Sequence, residues 1–308
     1  MILINTASTN VANVTVVNEE LGVEAKNIID ASLYKKKRDV FDLKKSVHNA
    51  NRPLRLLSII HESEDEKAAI LHALDLDVLI DLSGYTQNGE QPVLAQRPSV
   101  IQVNYLGFPG QMSVPWIDFN QQDFMVSPPH FSKYYEDKLV YLPYYYACNH
   151  HHKVPDLHPY QRPGGAAYLR NVFKVPTEGH LFCFPNQLYK LTADLLDTWA
   201  NILRRFPSSY LWLLRHPIEG EENIKLELQA RGIFAKRVLF SDFENDKIYY
   251  MVRTSICDVI LDSPLWSAGA TGLDAYWSGV PIIGLAGDRT VERLGISLMV
   301  EAATGREE

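Results

Sequence analysis

The chain has 308 residues, 46% hydrophobic and 22% charged, enough for one large α/β unit or two Rossmann-sized lobes that each bury a core. Its formal net charge is −7 and no basic tract follows the spacing of a phosphate backbone, which sets nucleic acid aside as a partner. No run approaches the ~20 apolar residues of a membrane span, and the N-terminus lacks the basic start and apolar core of a signal peptide, so no membrane partner is expected.

Residues 1–50 show no periodic pattern and read as an irregular extension. Their basic run Lys35-Lys36-Lys37-Arg38 sits beside acidic residues and reads as a solvated face. Residues 51–165 carry strand-like runs at 54–60, 77–82, 100–107, 123–126 and 139–142, and a helical stretch at 64–74. They read as a partial N-terminal lobe plus a linker. That linker, 146–165, is rich in His, Pro and Gly. Its His150-His151-His152 reads as a solvated loop, since three consecutive histidines cannot all face one metal from a regular element. Cys148, Cys183 and Cys257 lack metal or redox spacing and read as buried free thiols.

From about Gly179 the pattern becomes regular, and residues 166–308 read as a second lobe. Short runs rich in Leu, Ile, Val and Phe at 180–184, 210–214, 237–241, 258–262 and 280–285 match parallel strands covered on both faces. Helical stretches separate them. The clearest, 192–206, places Leu195, Leu196, Trp199, Ile202, Leu203 and Phe206 on one stripe. Such alternation predicts right-handed βαβ units, with ligands beyond the C-terminal ends of the strands.

Four segments at those ends carry chemistry. Asn186-Gln187-Leu188-Tyr189-Lys190 offers an ammonium for a diphosphate and an amide for a base edge or phosphate oxygen; a surface turn fits its composition equally well. The run from Asp262 to Asp274 combines small residues, which let a backbone approach a ligand, with a helix start whose N–H groups suit phosphate oxygens. Asp274, one turn in, can accept from ribose hydroxyls; alternatively Thr271 and Asp274 form a capping arrangement. Asp246-Lys247 and Arg253 read, alone, as solvated helix charges. Tyr105-Leu106-Gly107-Phe108-Pro109-Gly110 is a turn that presents backbone N–H groups.

Together these phrases resemble the catalytic region of the protein O-GlcNAc transferases. Further colinear matches are Asp81-Leu82-Ser83-Gly84-Tyr85-Thr86, Leu94-Ala95-Gln96-Arg97-Pro98, the phrase from Glu136 to Pro143, Trp199-Ala200-Asn201-Ile202-Leu203, Trp212-Leu213-Leu214-Arg215 and Ser278-Gly279-Val280-Pro281. The resemblance implies an α/β GT-B-like fold of two Rossmann-like lobes. The N-terminal lobe is expected to be incomplete and the C-terminal lobe a doubly wound parallel sheet. It implies an inverting, metal-independent transfer of GlcNAc from UDP-GlcNAc to Ser or Thr hydroxyls of cytoplasmic or nuclear proteins, without a cofactor. By the same resemblance Lys190 is the catalytic, phosphate-facing lysine and Gln187 contacts the diphosphate. Lys247 belongs to the uridine and ribose site, and Arg253 flanks it. Thr271, Gly272 and the neighbouring amides hold phosphate, Asp274 holds ribose, and Leu106 and Gly107 line the sugar pocket.

Some positions depart from the family pattern. The family reads His-Thr-Thr-Gly where this chain reads Gly269-Ala270-Thr271-Gly272. A hydrogen bond lost to a charged phosphate costs about 1.5–3 kcal/mol, roughly ten- to a hundred-fold in affinity. Tyr250 stands at a family histidine. Trp266 replaces a small Cys near the N-acetyl pocket, where an indole is expected to fill the space. The family's Ser-Ser-Asp-Phe-Gly-Asn-His-Pro-Thr string, the source of a histidine and an aspartate near the acceptor, has no counterpart here. The alternatives are therefore a non-catalytic nucleotide-sugar- or protein-binding fragment of that family, or a related transferase with another donor sugar.

Overall fold

The computed structural model describes residues 2–5, 13–16, 41–42, 55–147, 151 and 165–304. The basic run at 35–38, Cys148, His150, His152 and most of the linker lie outside them. The chain divides into two units, Met1–Tyr146 and Ala147–Glu308.

In the first unit, β1 (Ile2–Asn5), β2 (Asn13–Val16), β3 (Phe41–Asp42), β4 (Arg55–Ser58), β5 (Val78–Asp81), β6 (Ile101–Asn104), β7 (Phe119–Asp123) and β8 (Lys138–Leu142) form one sheet. Their order is β3-β4-β2-β1-β5-β6-β7-β8. From β1 through β8 every neighbouring pair is parallel, whereas β1–β2, β2–β4 and β3–β4 are antiparallel. The expected irregular extension over 1–50 thus contains three short strands. Their partners explain why no pattern announced them: Val14 lies opposite Leu57, far along the chain. Helix α1 (Glu64–His72) opens with a capping box in which the Glu66 N–H donates to Ser63 Oγ and the Ser63 N–H to Glu66 Oε2. Its Ala68, Ile70 and Leu71 pack with Leu57, Leu79, Leu94 and Met112 into the unit's core. A short helix, α2 (Gln91–Ala95), follows β5.

The second unit alternates strand and helix throughout: α3 (Gly165–Val172), β9 (His180–Phe184), α4 (Ala193–Arg205), β10 (Ser209–Leu214), α5 (Gly220–Ala230), β11 (Val238–Ser241), α6 (Lys247–Thr254), β12 (Val259–Leu261), α7 (Ala270–Trp277), β13 (Ile282–Ile283) and α8 (Leu294–Thr304). All strand pairs are parallel, in the order β11-β10-β9-β12-β13. Successive side chains along a strand face opposite layers. Leu181, Cys183, Trp212 and Ile260 meet Met251 and Val252 of α6 and Ala275 of α7 on one face. Phe184, Leu211, Leu213 and Leu261 meet α4 and Leu228 of α5 on the other. Both faces are covered, the doubly wound arrangement that apolar runs predict.

Helix α4 is capped by Thr192, whose side chain accepts from the Leu195 N–H. Its stripe buries Leu195, Leu196, Trp199 and Leu203, with Trp199 only 1% exposed. Emptying the Trp199 site would cost about 3–5 kcal/mol. Phe206 departs from the predicted stripe: it ends the helix in non-helical backbone, stays 48% exposed and meets Phe182 and His180 edge-on.

The cysteine expectation is corrected. Cys183 and Cys257 form a disulfide, with Cα atoms 6.0 Å apart across 74 residues of sequence. Strand pairing brings them together, since β9 lies beside β12 and the Asp258 N–H donates to Leu181 O. Sequence spacing carries no trace of that adjacency. Among the described residues no helix is long and apolar enough to cross a membrane.

Candidate functional site

The chain reverses direction across the second sheet at β9: β10 and β11 lie on one side of it, β12 and β13 on the other. Beyond the C-terminal ends of β9 and β12 lies the crevice where doubly wound sheets hold ligands. The segments leaving those two strands meet there through side chains. After β9 the chain passes Asn186 and Gln187 into a tight turn, Leu188–Lys190, pinned by the Leu188 N–H donating to His216 O. Lys190 Nζ donates to Asn186 Oδ1 at 3.0 Å, and the Thr271 hydroxyl of α7 donates to the same oxygen at 3.2 Å. Asn186 is buried and thereby joins the two strand ends. Burial lowers the Lys190 pKa, while the nearby Asp262 carboxylate opposes that shift.

Asp262, at the end of β12, organises the loop that leads to α7. Its carboxylate accepts from the N–H groups of Ser263 (2.8 Å) and Ala268 (2.9 Å), closing 262–268 into a compact turn. The Ser263 hydroxyl donates to Lys190 O at 2.9 Å, so the loop also grips the lysine's backbone. Burial raises the Asp262 pKa to about 6, against the lowering influence of those amides and of Lys190. At the start of α7, Gly269 takes the cap position without a side-chain bond. The Thr271–Asp274 capping arrangement does not form, because Thr271 bonds Asn186 instead. Gly272 lies in the first turn of α7. Its N–H donates to Gly269 O, and a Cβ there would lie 3.0–3.3 Å from Ala268, Leu298 and Ile282. It is where the helix packs tightly on its neighbours.

A small, solvent-open recess in the same unit is lined by Pro185, Trp212, Ser241, Tyr250, Arg253 and the two bridged cysteines. Arg253, read alone as a solvated charge, is 9% exposed and donates to Asp242 O at 2.8 Å; burial lowers its pKa. Tyr250 lies beneath its guanidinium, and burial pushes the phenol up to about 12. Asp246 caps α6 by accepting from the Tyr249 N–H. Lys247, 46% exposed, pairs with Asp274 Oδ1. His151 reaches the same oxygen at 2.7 Å. The expectation of a solvated loop is corrected at His151, which is 6% exposed; nothing in a tandem-histidine sequence signals a buried partner more than a hundred residues away.

Trp266 stands 44% exposed, its ring 5.8 Å from the Lys190 ammonium and edge-on to Tyr189. Gln187 precedes the tight turn and its carbonyl accepts from the Lys190 N–H.

Leu106 and Gly107 belong to the first unit, in the turn that follows β6. Leu106 adopts φ +74°, a left-handed conformation costly for a branched side chain. A Cβ on Gly107 would fall 2.1 Å from Leu82 O, so only glycine fits. Buried amides from β6 and β7 hold the turn. Asn104 donates to Phe108 O, Gln122 to Pro109 O and Asn120 to Gly110 O. Asp137 accepts from the N–H groups of Met112 and Ser113.

Two α/β units, the first a mixed sheet and the second wholly parallel with cationic and acidic side chains gathered beyond its strand ends, define the class as a GT-B glycosyltransferase. The chain belongs to glycosyl transferase family 41, which it matches over residues 30–161 and 166–304. It is 36% identical over 251 residues to the probable UDP-N-acetylglucosamine–peptide N-acetylglucosaminyltransferase SEC of Arabidopsis thaliana, covering 81% of this chain and 25% of SEC. It is 24% identical over 335 residues to the UDP-N-acetylglucosamine–peptide N-acetylglucosaminyltransferase of Caenorhabditis elegans, covering 75% of this chain and 29% of that protein. A mutant Thermobaculum terrenum O-GlcNAc transferase shares the fold with a TM-score of 0.69 at 25% identity, over 80% of this chain and 45% of that one. The chain thus spans about a quarter of the length of these curated relatives.

Proposed function

We propose that the second unit binds the UDP portion of UDP-GlcNAc, and that the chain is part of an enzyme that moves GlcNAc onto Ser or Thr hydroxyls of cytoplasmic or nuclear proteins. The observation that carries this reading is the convergence of Lys190 and Thr271 on Asn186, which gathers an ammonium, a hydroxyl and the start of α7 at one strand-end crevice. In the reaction the acceptor hydroxyl gives up its proton, which leaves for solvent or the departing diphosphate, as its oxygen attacks the anomeric carbon; the bond from that carbon to the diphosphate oxygen breaks, and configuration inverts. Negative charge grows on the departing diphosphate. Lys190, Thr271 and the dipole of α7 stabilise it without a metal. The partly desolvated ammonium of Lys190 gains an anionic partner when the nucleotide binds. Gln187 serves the diphosphate, Lys247 and Asp274 the ribose, and Arg253 the base end. Trp266 is assigned to the sugar.

Calorimetric titration of UDP tests the reading. The wild type is expected to bind, and Lys190→Ala to bind ten- to a hundred-fold more weakly, the cost of about 1.5–3 kcal/mol for a lost charged hydrogen bond. A wild type that does not bind UDP sinks it. Transfer to a Ser/Thr peptide with and without a chelator then tests the inverting, metal-independent chemistry. A second reading, a binding module or a transferase of another sugar, draws support from Gly269, Ala270 and the exposed Trp266 beside Lys190. Binding without transfer, or transfer from a different UDP-sugar, would favour it.

A further inference from the structure

We infer that His151 is a positioning residue for the donor nucleotide, holding the plane of the Asp274 carboxylate so that its open oxygen faces the ribose diol. This rests on reading the second unit as a UDP-sugar site. His151 Nε2 lies 2.7 Å from Asp274 Oδ1, and both side chains are 7% exposed. Lys247 Nζ bonds the same Oδ1. Both contacts fall on one oxygen, while Oδ2 carries no bond to another side chain or to backbone among the described residues.

The two donors differ in kind. Lys247 is 46% exposed and ends in a rotating ammonium on a flexible stem, so it supplies charge without direction. The His151 ring is buried and packs 5.4 Å from Trp277, on the same helix as Asp274. A rigid donor fixed by packing restricts a carboxylate's rotation in a way a mobile cation does not. With Oδ1 occupied from two sides, the charge on Oδ2 remains available to hydroxyl donors. Vicinal ribose hydroxyls are such donors; a dideoxyribose is not. His151 therefore stands at the ribose end of the nucleotide site.

The test compares UDP with 2′,3′-dideoxyuridine diphosphate. Wild type is expected to prefer UDP. His151→Phe, which keeps a ring against Trp277 but removes the donor, is expected to reduce that preference about tenfold, while His151→Gln, which retains an N–H, recovers part of it. Equal weakening of both nucleotides, or an unchanged preference, overturns the inference and leaves the UDP reading intact. Failure of wild type to bind UDP overturns both. A measurement on the unaltered chain keeps the test independent of variant folding. The Nε2 resonance of His151 in ¹⁵N-histidine-labelled protein is expected to move with UDP and not with the dideoxy analogue; equal movement with both overturns the inference.

Discussion

In the first unit the buried polar side chains around the 105–113 turn bond one another and hold its main chain. Asn104, Asn120 and Gln122 donate to carbonyls of the 105–113 turn, and Asp137 accepts from its N–H groups. In the second unit the corresponding groups end on one another: Lys190 and Thr271 on Asn186, Lys247 and His151 on Asp274. The first pattern sets the shape of a backbone surface. The second presents charges and hydroxyls whose partners can be exchanged for a ligand. Losing a member should therefore show up as stability in one unit and as ligand affinity in the other.

The largest expected effect tests the first half of that contrast. Asn120→Ala removes a side chain that bonds Gly110 O, Asp137, Asn104 and Gln122. With unsatisfied buried groups costing about 1–3 kcal/mol each, the loss should be about 3 kcal/mol or more. Urea unfolding should register it, and UDP affinity measured on the folded variant should not change. A drop in affinity without a drop in stability would break the distinction.

Next in size is the pH dependence of Asp262. Its folded pKa, about 6, lies above the ordinary carboxylate value of 3.8 because burial disfavours the charge. The folded state thus holds the proton more tightly than the unfolded chain. The associated stability is complete below the unfolded value and is lost as pH rises through about 6, amounting to about 3 kcal/mol. Denaturation midpoints between pH 4 and 7 should carry this slope in wild type and lack it in Asp262→Asn; parallel profiles would remove the assignment. The smallest effect belongs to Thr271→Val. It deletes one neutral hydroxyl bond of about 0.5–1.5 kcal/mol and should weaken UDP two- to tenfold with little change in unfolding midpoint.

How much of this could be read in advance follows from where each partner lies in the chain. The second sheet was legible because strands covered on both faces must be apolar runs and α4 must show a stripe; Leu211, Leu213, Trp199 and Leu203 all obey. Phe206 failed because a stripe does not reveal where a helix stops. Strands β1 and β2 stayed hidden because they are short and pair with segments remote in sequence. In the site, Lys190 and Asp274 drew notice through their residue type beside a strand end. Asn186 carries no signal of its own; its role as a shared acceptor depends on Thr271, 85 residues away. His151 and the Cys183–Cys257 bridge likewise depend on pairings that local pattern does not encode.

Gly295, near the start of α8, extends the reach of Asp262 beyond the crevice. A methyl group there would lie 2.8 Å from Asp262 Oδ2, and the Gly295 N–H already donates to Ser267 Oγ. The carboxylate cannot swing aside without releasing the Ser263 and Ala268 amides. Tolerance to substitution is therefore narrow at a position with no expected role in the chemistry. In a saturation library Gly295 should accept fewer replacements than Gln187 or Trp266, and a variant altered only there should lose the ordered 262–268 turn while retaining every residue assigned to the ligand.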